Sequence, residues 1–340
     1  MTTPGPDPHG LPGADEHVRC APFHESLGVP PWGSTAAYEG FLFVEVPLPW
    51  PHDVTEAAPF AGLSGKVAPL VEAADGRRWR PQALVPRAGA TDVEVLAFDR
   101  PAGPARPFRR RSWSAAPDAV PTLCRAVLDA GWDGAVQVEG AVTGPPVEGT
   151  ELFVCTHGKR DTCCGSLGTR LFEALAGRPE LAGSVRRTSH TGGHRFAPTV
   201  LSFPDGYAWA HVDTPYVGRQ LGAGDGELAR AHCRGSAGFD DPAAQVVDVE
   251  GFAALGAAWA VSVRTATVSP LGDETWAVSV ESVLDDQVLA VVTATVRVDR
   301  VVPQPVCGAV SLAAAGTATA PVLAARDVTV SGEQQRPAAG

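Results

Sequence analysis

The chain lacks the sequence features of membrane and exported proteins. No apolar run approaches the ~20 residues that a membrane-spanning helix needs, and the opening residues, MTTPGPDPHGLPGADEH, contain neither a basic start nor an apolar segment. We therefore expect no membrane span and no secretory signal, and we interpret 1–17 as a flexible lead-in. The net charge of −11 has the wrong sign for nucleic acid or an anionic membrane as a partner, because both require a basic face.

Cysteines are few and odd in number, with seven in 340 residues. Without an export signal, this favours thiols that are buried, catalytic or metal-bound over a disulfide framework, and hence a reducing compartment, the cytoplasm. No G-x-G-x-x-G motif follows a predicted strand, so the sequence gives no sign of a dinucleotide site of its own. Paired carboxylates typical of glycoside hydrolysis are missing, and no internal repeat is visible.

The residues that can carry chemistry are concentrated between Glu151 and His211. This stretch holds three of the seven cysteines and four of the nine histidines. Its ELFVC segment predicts a short strand that ends at Cys155, and a helix is predicted to open at Gly165 and Ser166 after a polar loop. Thiols and imidazoles delivered by loops at strand ends predict a metal or cluster site.

Four side chains of this stretch are candidate ligands. Eight residues lie between Cys155 and Cys164, and three lie between His190 and His194, where two glycines favour a turn over a helix. Two sulfurs and two imidazoles can bind a tetrahedral zinc or a two-iron cluster. The cysteine gap is too long for a zinc knuckle, and the loop contains no C-x-x-C for disulfide exchange. The spacing alone leaves a cluster, a zinc site, a thiol enzyme and structural cysteines open.

The remaining pattern predicts an α/β protein. Strands are predicted within 40–50, 77–87, 91–100 and 134–142, an amphipathic helix over 118–130 with Asp118 as its N-cap, and helical pieces near 218–233 and 250–260. From 151 onward, a strand, a helix, a strand and a hairpin around Pro204-Asp205-Gly206 follow the order expected of a thioredoxin-like layer.

This order gives a domain prediction. We predict an N-terminal α+β domain over 18–117 and a thioredoxin-like domain over 118–247. A C-terminal helix and antiparallel β meander over 248–312 is expected to pack on the second domain, because strands between 259 and 298 alternate apolar and polar residues. The tail over 313–340 is predicted to be mobile.

The central motif matches a known pattern. C-T-H-G-K-R-D-T-C-C-G-x-x-G followed by S-H-T-G-G-H-R-F resembles the sucrase/ferredoxin-like family, the thioredoxin-like [2Fe–2S] ferredoxins. The resemblance is most specific over about 150–235, including F-P-D-G and H-C-R-G, and continues more weakly from Cys20 to about Pro51. It implies one [2Fe–2S] cluster, held by Cys155, Cys164, His190 and His194.

Other residues near the motif receive weaker assignments. Cys163 is an alternate to Cys164, and His157 is interpreted as exposed, with a contact to a ligand as the alternative. Arg160 and Arg195, adjacent to the ligand segments, either favour the reduced state of a cluster or are ordinary solvated charges. The remaining cysteines are interpreted as structural, namely Cys20, Cys124, Cys233 and Cys307.

A cluster with two thiolates and two neutral imidazoles is uncharged when oxidised, whereas four thiolates make it a dianion. Adding an electron is easier to the neutral centre, so the resemblance implies a Rieske-like potential, roughly −150 to +300 mV against about −400 mV for all-cysteine ligation. Reduction would also favour proton uptake at an imidazole. We expect an electron-transfer protein served by an external reductase. Whether it is itself an oxidoreductase stays open, and the alternatives are a zinc-stabilised binding module and a thioredoxin-type thiol oxidoreductase.

A basic run stands out in this acidic chain. It comprises Arg106, Arg109, Arg110 and Arg111. One interpretation is a solvated loop, and the other is a docking patch for an acidic redox partner or an anionic cofactor.

Overall fold

A computed structural model describes residues 19–60, 63, 71–181, 183–215, 217, 226–304 and 318–332. These residues form one eleven-stranded mixed sheet and one four-stranded antiparallel sheet, with helices packed against both. The predicted α/β class is confirmed. In this part of the chain, no helix combines the length and apolar character needed to cross a bilayer. The predicted lead-in over 1–17 and Cys307 lie outside the described residues.

The N-terminal half contributes six strands of the large sheet. Its elements are α1 (Cys20–Ser26), β1 (Gly40–Glu45), a 3-10 helix (Val54–Glu56), β2 (Val71–Glu72), β3 (Arg78–Leu84), β4 (Val93–Asp99), β5 (Arg109–Ala115), α2 (Val120–Asp129) and β6 (Val142–Thr143). The strands predicted within 40–50, 77–87 and 91–100 are confirmed, and so is α2. Asp118 does not cap α2, because its N-cap is Ala119 and Pro121 occupies the first turn, where it has no N–H to be capped.

The strand predicted over 134–142 is wrong. Apart from Val142 this segment is not in a strand, and its residues are half-buried or exposed. Its alternation of valine with polar residues resembles a strand, but Val136 and Val138 find no partner strand there. The alternation of apolar and polar residues therefore predicted a strand where the chain forms a surface connection.

The second half supplies the rest of the large sheet and all of the small one. Its elements are β7 (Glu151–Cys155), α3 (Thr162–Ala176), a 3-10 helix (Pro179–Leu181), β8 (Val185–Thr188), a 3-10 helix (His194–Phe196), β9 (Val200–Phe203), β10 (Tyr207–Trp209), α4 (Gly226–His232), β11 (Cys233–Ser236), α5 (Pro242–Leu255), α6 (Ala257–Val261), β12 (Val263–Gly272), β13 (Thr275–Leu284), β14 (Gln287–Pro303) and β15 (Thr319–Ser331). The predicted order of strand, helix, strand and hairpin is confirmed.

The large sheet is continuous across both halves. Its strand order is β11-β10-β9-β7-β8-β3-β1-β4-β5-β6, with β2 also paired to β3. The halves join where Leu84 of β3 lies opposite Thr188 of β8 in antiparallel pairing. The buried residues of α2 belong to the core of the N-terminal half, together with β1, β3 and β4. The domain boundaries stay a prediction.

The two halves of this sheet repeat one strand pattern. In each half, a first strand (β1 or β7) pairs in parallel with a second (β3 or β8) and antiparallel with a third (β4 or β9). The third pairs antiparallel with a fourth, β5 or β10. No repeat was visible in the sequence, but the two halves share this strand topology.

The repeat leaves a short trace in the sequence. Both first strands contain Leu-Phe-Val, at 42–44 and 152–154. The two phenylalanine rings, Phe43 and Phe153, stack with their centroids 4.2 Å apart. Aligned on this triplet, Glu45 takes the place of Cys155. The N-terminal half therefore offers a carboxylate, ion-paired to Arg87, where the other half offers a thiol.

The C-terminal meander is confirmed and extended. Strands β12, β13 and β14 pair in sequence, and α5 packs on the sheet. The prediction of a mobile tail over 313–340 is wrong for Thr319–Ser331, which forms β15 on the edge of β14. Strand β14 runs to Pro303, and β15 pairs with its outer edge. Pro321 and the Ala-Ala-Arg-Asp segment interrupt the β-favouring residues of β15, which hid the strand.

The basic run Arg106, Arg109, Arg110 and Arg111 is neither a solvated loop nor a docking patch over its last three residues. These lie on β5. Arg109 and Arg111 both pair with the fully buried Asp99, at 3.2 and 2.9 Å, and Arg110 pairs with Glu151. The charges hold strands together, and the partners were invisible in the sequence because they belong to β4 and β7.

Candidate metal centre

The N-terminus of α3 carries the cysteine doublet. Asp161 caps this helix: its Oδ1 accepts hydrogen bonds from the backbone N–H of Cys163 at 2.9 Å and of Cys164 at 3.1 Å. Because of this cap, α3 begins at Thr162 rather than at the predicted Gly165. Both cysteines therefore lie in a fixed first turn rather than in a loop.

Two glycines bring α3 against the end of β7. A Cβ on Gly168 would collide with the carbonyl oxygen of Cys155, and a Cβ on Gly165 would collide with the Cα of Gly158. The helix can approach the strand end only because these positions have no side chain. This packing brings Cys164 close to Cys155.

Three of the four predicted ligands form one donor group. Cys155 Sγ, Cys164 Sγ and a ring nitrogen of His190 all lie within 4.8 Å of one another. His190 Nδ1 is 4.0 Å from the Cys155 sulfur and 3.8 Å from the Cys164 sulfur. Both cysteines are fully buried, whereas His190 is half-buried.

A hydrogen bond joins the two thiols and shifts their pKa values in opposite directions. The hydrogen bond from the Cys164 thiol lowers the pKa of Cys155 well below its ordinary value, and a hydrogen bond from His190 adds to this. The same hydrogen bond, together with burial, raises the pKa of Cys164 well above its ordinary value. Cys155 therefore ionises before Cys164, and a metal bound by both sulfurs would displace the protons they still carry.

The fourth predicted ligand, His194, lies in an adjacent donor group with Cys20 and Asp161. His194 Nδ1 is 3.2 Å from both the Cys20 sulfur and Asp161 Oδ2. Cys20, interpreted from sequence as structural, arrives on α1, which packs against the 3-10 helix of His194. The position of Cys20 in the weaker part of the family resemblance was the sign in the sequence that it could belong to the site.

The loop between the histidines is built by glycines and arginines. Gly192 and Gly193 have φ values of 84° and 67°, which favour glycine. The guanidinium of Arg80 donates to the carbonyl oxygen of His190 at 2.6 Å, and that of Arg234 donates to the carbonyl oxygen of Gly192 at 3.2 Å. A Cβ on Gly193 would collide with Arg234.

The other residues near the central motif differ in whether they contact a proposed ligand. The expectation that His157 is exposed is wrong: it is 3% exposed, donates from Nε2 to the carbonyl oxygen of Pro51 at 2.9 Å, and accepts from the His190 backbone N–H at 3.3 Å. Arg160 is exposed and donates to His52. Cys163 is buried but belongs to neither donor group.

Burial of His24 on α1 predicts acid sensitivity. Burial lowers the pKa of His24 to about 4, with smaller contributions from Arg195 and His194, against 6.5 in an unfolded chain. Between these values the unfolded chain binds a proton that the folded chain does not, so the free energy of unfolding should fall as the pH falls. Urea titrations of metal-free protein across this window should show the decline, and His24→Asn should make it shallower, because burial also lowers the pKa of His157 and His211. An equal slope in the variant would contradict the assignment.

The donor set fits a metal group. Thiolates and imidazoles suit zinc and iron–sulfur clusters. The two donor groups lie side by side, with the rings of His190 and His194 6.2 Å apart at their centroids. Donors spread over two neighbouring points suit a binuclear group better than a single ion.

Comparison with known proteins agrees with the resemblance noted in the central motif. The chain is 37% identical over 75 residues to "Altered inheritance of mitochondria protein 32" of Eremothecium gossypii, a match that covers 22% of this chain and 24% of that protein. No solved structure matches the chain. The sucrase/ferredoxin-like profile matches residues 31–221, more than half of the sequence and nearly all of the site. The chain therefore belongs to the sucrase/ferredoxin-like family.

Proposed function

We propose that the protein transfers single electrons through a [2Fe–2S] cluster held by Cys155, Cys164, His190 and His194. The observation that carries the proposal is the placement of these donors in two adjacent groups. When bound, the cluster would supply a one-electron acceptor with two histidine ligands, whose potential lies above that of all-cysteine ferredoxins.

Asp161 is the residue that joins the two donor groups. Its Oδ1 caps the helix that presents Cys164, and its Oδ2 accepts from Nδ1 of His194. A histidine that ligates a metal usually donates its other ring N–H to such an oxygen. This arrangement would fix the His194 ring and leave its Nε2 to hold a metal.

The histidines give the buried centre its contact with solvent. Cys155 and Cys164 are fully buried, whereas the side chain of His194 is 32% exposed. An external reductase would therefore dock over the histidine edge, where the path from surface to centre is shortest. The β7-α3-β8-β9-β10 order supports a thioredoxin-like reading of this half. The six cysteines of the described residues, none of them in a disulfide, support a reducing compartment such as the cytoplasm.

A zinc-stabilised binding module is the second candidate. It is favoured by the convergence of Cys155, Cys164 and His190 on one point. A thiol oxidoreductase is less well supported, because Cys155 has no exposed surface for a substrate. Cys20, His194 and Asp161 do not form a relay either, since the same Nδ1 faces both the thiol and the carboxylate.

Metal analysis of the purified full chain tests the proposal. We expect iron and acid-labile sulfide in equal amounts, visible absorption that dithionite bleaches, and an EPR signal from the reduced protein with a Rieske-like average g value. One zinc per chain, without sulfide or colour, would instead support the binding module and refute electron transfer.

Exchange of one histidine tests the ligand type. We expect His194→Cys to retain the cluster but to lower its midpoint potential, because a third thiolate adds negative charge to the centre. Redox titration followed by EPR gives the potential, and iron and sulfide analysis confirms loading. A loaded variant with an unchanged potential would count against ligation by His194.

A further inference from the structure

Buried arginines outside the centre have carboxylate partners. Five arginines are classed as buried in the described part of the chain. Three form ion pairs: Arg77 with Asp99 at 3.1 Å, Arg100 with Glu39 at 3.5 Å and Arg264 with Asp248 at 3.2 Å. This is the expected arrangement, because a buried charge without a counter-charge is costly.

The other two, Arg80 and Arg234, bond only to neutral oxygens. Arg80 donates to the Tyr38 hydroxyl at 3.0 Å and to the His190 carbonyl, and its Nε is buried without a hydrogen-bond partner. Arg234 donates to the Oγ and carbonyl oxygen of Ser34 and to the Gly192 carbonyl. Neither forms an ion pair with a carboxylate among the described residues.

A third guanidinium joins them at the histidine loop. Arg195 stacks on the Phe196 ring, 4.7 Å from its centroid, and its Nε is buried without a hydrogen-bond partner. Burial, followed by the charges of Arg195 and Arg80, lowers the pKa of Arg234 to about 9, while Cys164 acts in the opposite direction. We call Arg80, Arg195 and Arg234 the arginine cluster.

The arginine cluster lacks its anion. The acidic groups that act on Arg234 and Arg195 are cysteine thiols, namely Cys164 and Cys20 of the donor groups together with Cys233. In the proposed function, the centre would be neutral when oxidised and would gain one negative charge on taking one electron from a reductant, with no bond broken and before any proton uptake at an imidazole. Only the reduced state then supplies a counter-charge beyond the thiolates.

We propose that the arginine cluster is the electrostatic clamp of the reduced centre: it stabilises the negatively charged state and so raises the midpoint potential. The inference rests on the proposed function. Arg80 and Arg234 lie far from the ligand segments in sequence. For these two arginines, the reduced centre would supply the counter-charge that carboxylates supply to the buried arginines elsewhere in the molecule. Because both are buried, salt should screen their effect only weakly.

Redox titration of charge-neutral variants tests the clamp. We expect Arg234→Met and Arg80→Met each to lower the equilibrium constant for reduction about tenfold, which for one electron is about 59 mV. Arg234→Lys should stay close to the wild type, because it keeps the charge. The matched control is Arg300→Met, which removes an equally positive charge from an exposed site bonded to Leu27 and Gly28 and should leave the potential unchanged.

The iron and sulfide content of each variant distinguishes failure of the clamp from failure of the proposed electron transfer. Variants with wild-type iron and sulfide but an unchanged potential would overturn the clamp and leave electron transfer standing. Wild-type protein without sulfide would refute electron transfer itself.

A second measurement needs no cluster. In metal-free full chain, the guanidinium groups that have no carboxylate partner should bind chloride, so chloride should raise the Tm above that in gluconate of equal ionic strength. Arg234→Met should abolish this difference, including in a variant that cannot be loaded. An equal Tm in the two salts would overturn the clamp, whatever metal the wild type holds.

Discussion

Replacing Cys155 with alanine is expected to abolish binding of the iron–sulfur cluster. Cys155 ends β7, is fully buried, and is the sulfur whose pKa is lowered by its contacts with Cys164 and His190. No other thiol of the described residues stands in its place beside that pair. Iron and sulfide per chain should fall to background, and the Tm should fall to that of metal-free wild type, because bound metal contributes folding free energy.

Cys124→Ala is the matched control for this prediction. Cys124 is equally buried, but it lies on α2 in the core of the N-terminal half, where burial raises its pKa to about 12. Its loss should cost about 1 kcal/mol of unfolding free energy through a small cavity and leave iron and sulfide at wild-type levels. Undiminished iron in Cys155→Ala, or an equal loss in both variants, would refute Cys155 as a ligand.

The candidate ligands could be found from sequence because their signals are local. Cys155, Cys164, His190 and His194 occupy two short segments with fixed spacing, and one strand and one turn suffice to place them. Cys20 could not be found in this way, because it reaches His194 only through packing of α1 on a distant 3-10 helix. Spacing along the chain says nothing about such contacts.

Charge was the property that sequence predicted least well. Arg110 looked like part of a basic surface, yet it pairs with Glu151 across the sheet. Arg80 carried no signal, Arg234 had only its place in the H-C-R-G motif, and both enclose the histidine loop. The role of an arginine can be predicted only when its ion-pair partner, or the lack of one, is known. Which carboxylates come close to it depends on the strand order.

Strand order itself was only half predictable. The β7-α3-β8-β9-β10 series followed from alternation and from turn residues such as Gly206. The joining of both halves at Leu84 and Thr188 did not, since a single register pair makes the connection. The strand topology of the second half is repeated in the N-terminal half, but Glu45 stands there in the place of Cys155. The repeat therefore could not be recognised from the residues that carry chemistry.

Gly168→Ala should damage both the fold and the metal site, the second large effect that we expect. An added methyl group would collide with the Cys155 carbonyl oxygen, a backbone atom that cannot move aside. Helix α3 would have to shift away from β7 and take Cys164 with it. We expect a loss of about 2–4 kcal/mol in unfolding free energy and a marked fall in iron and sulfide per chain.

Gly177→Ala provides the control at the other end of the same helix. Gly177 has an ordinary helical φ of −76°, and its added Cβ would meet only the Glu173 carbonyl oxygen at 3.7 Å, a normal contact. This variant should load fully and gain up to about 1 kcal/mol, because alanine restricts the unfolded chain more than glycine does. Urea unfolding and iron analysis of both variants decide the matter. If Gly168→Ala were as stable and as fully loaded as Gly177→Ala, the close approach of α3 to Cys155 could not be what assembles the donor groups.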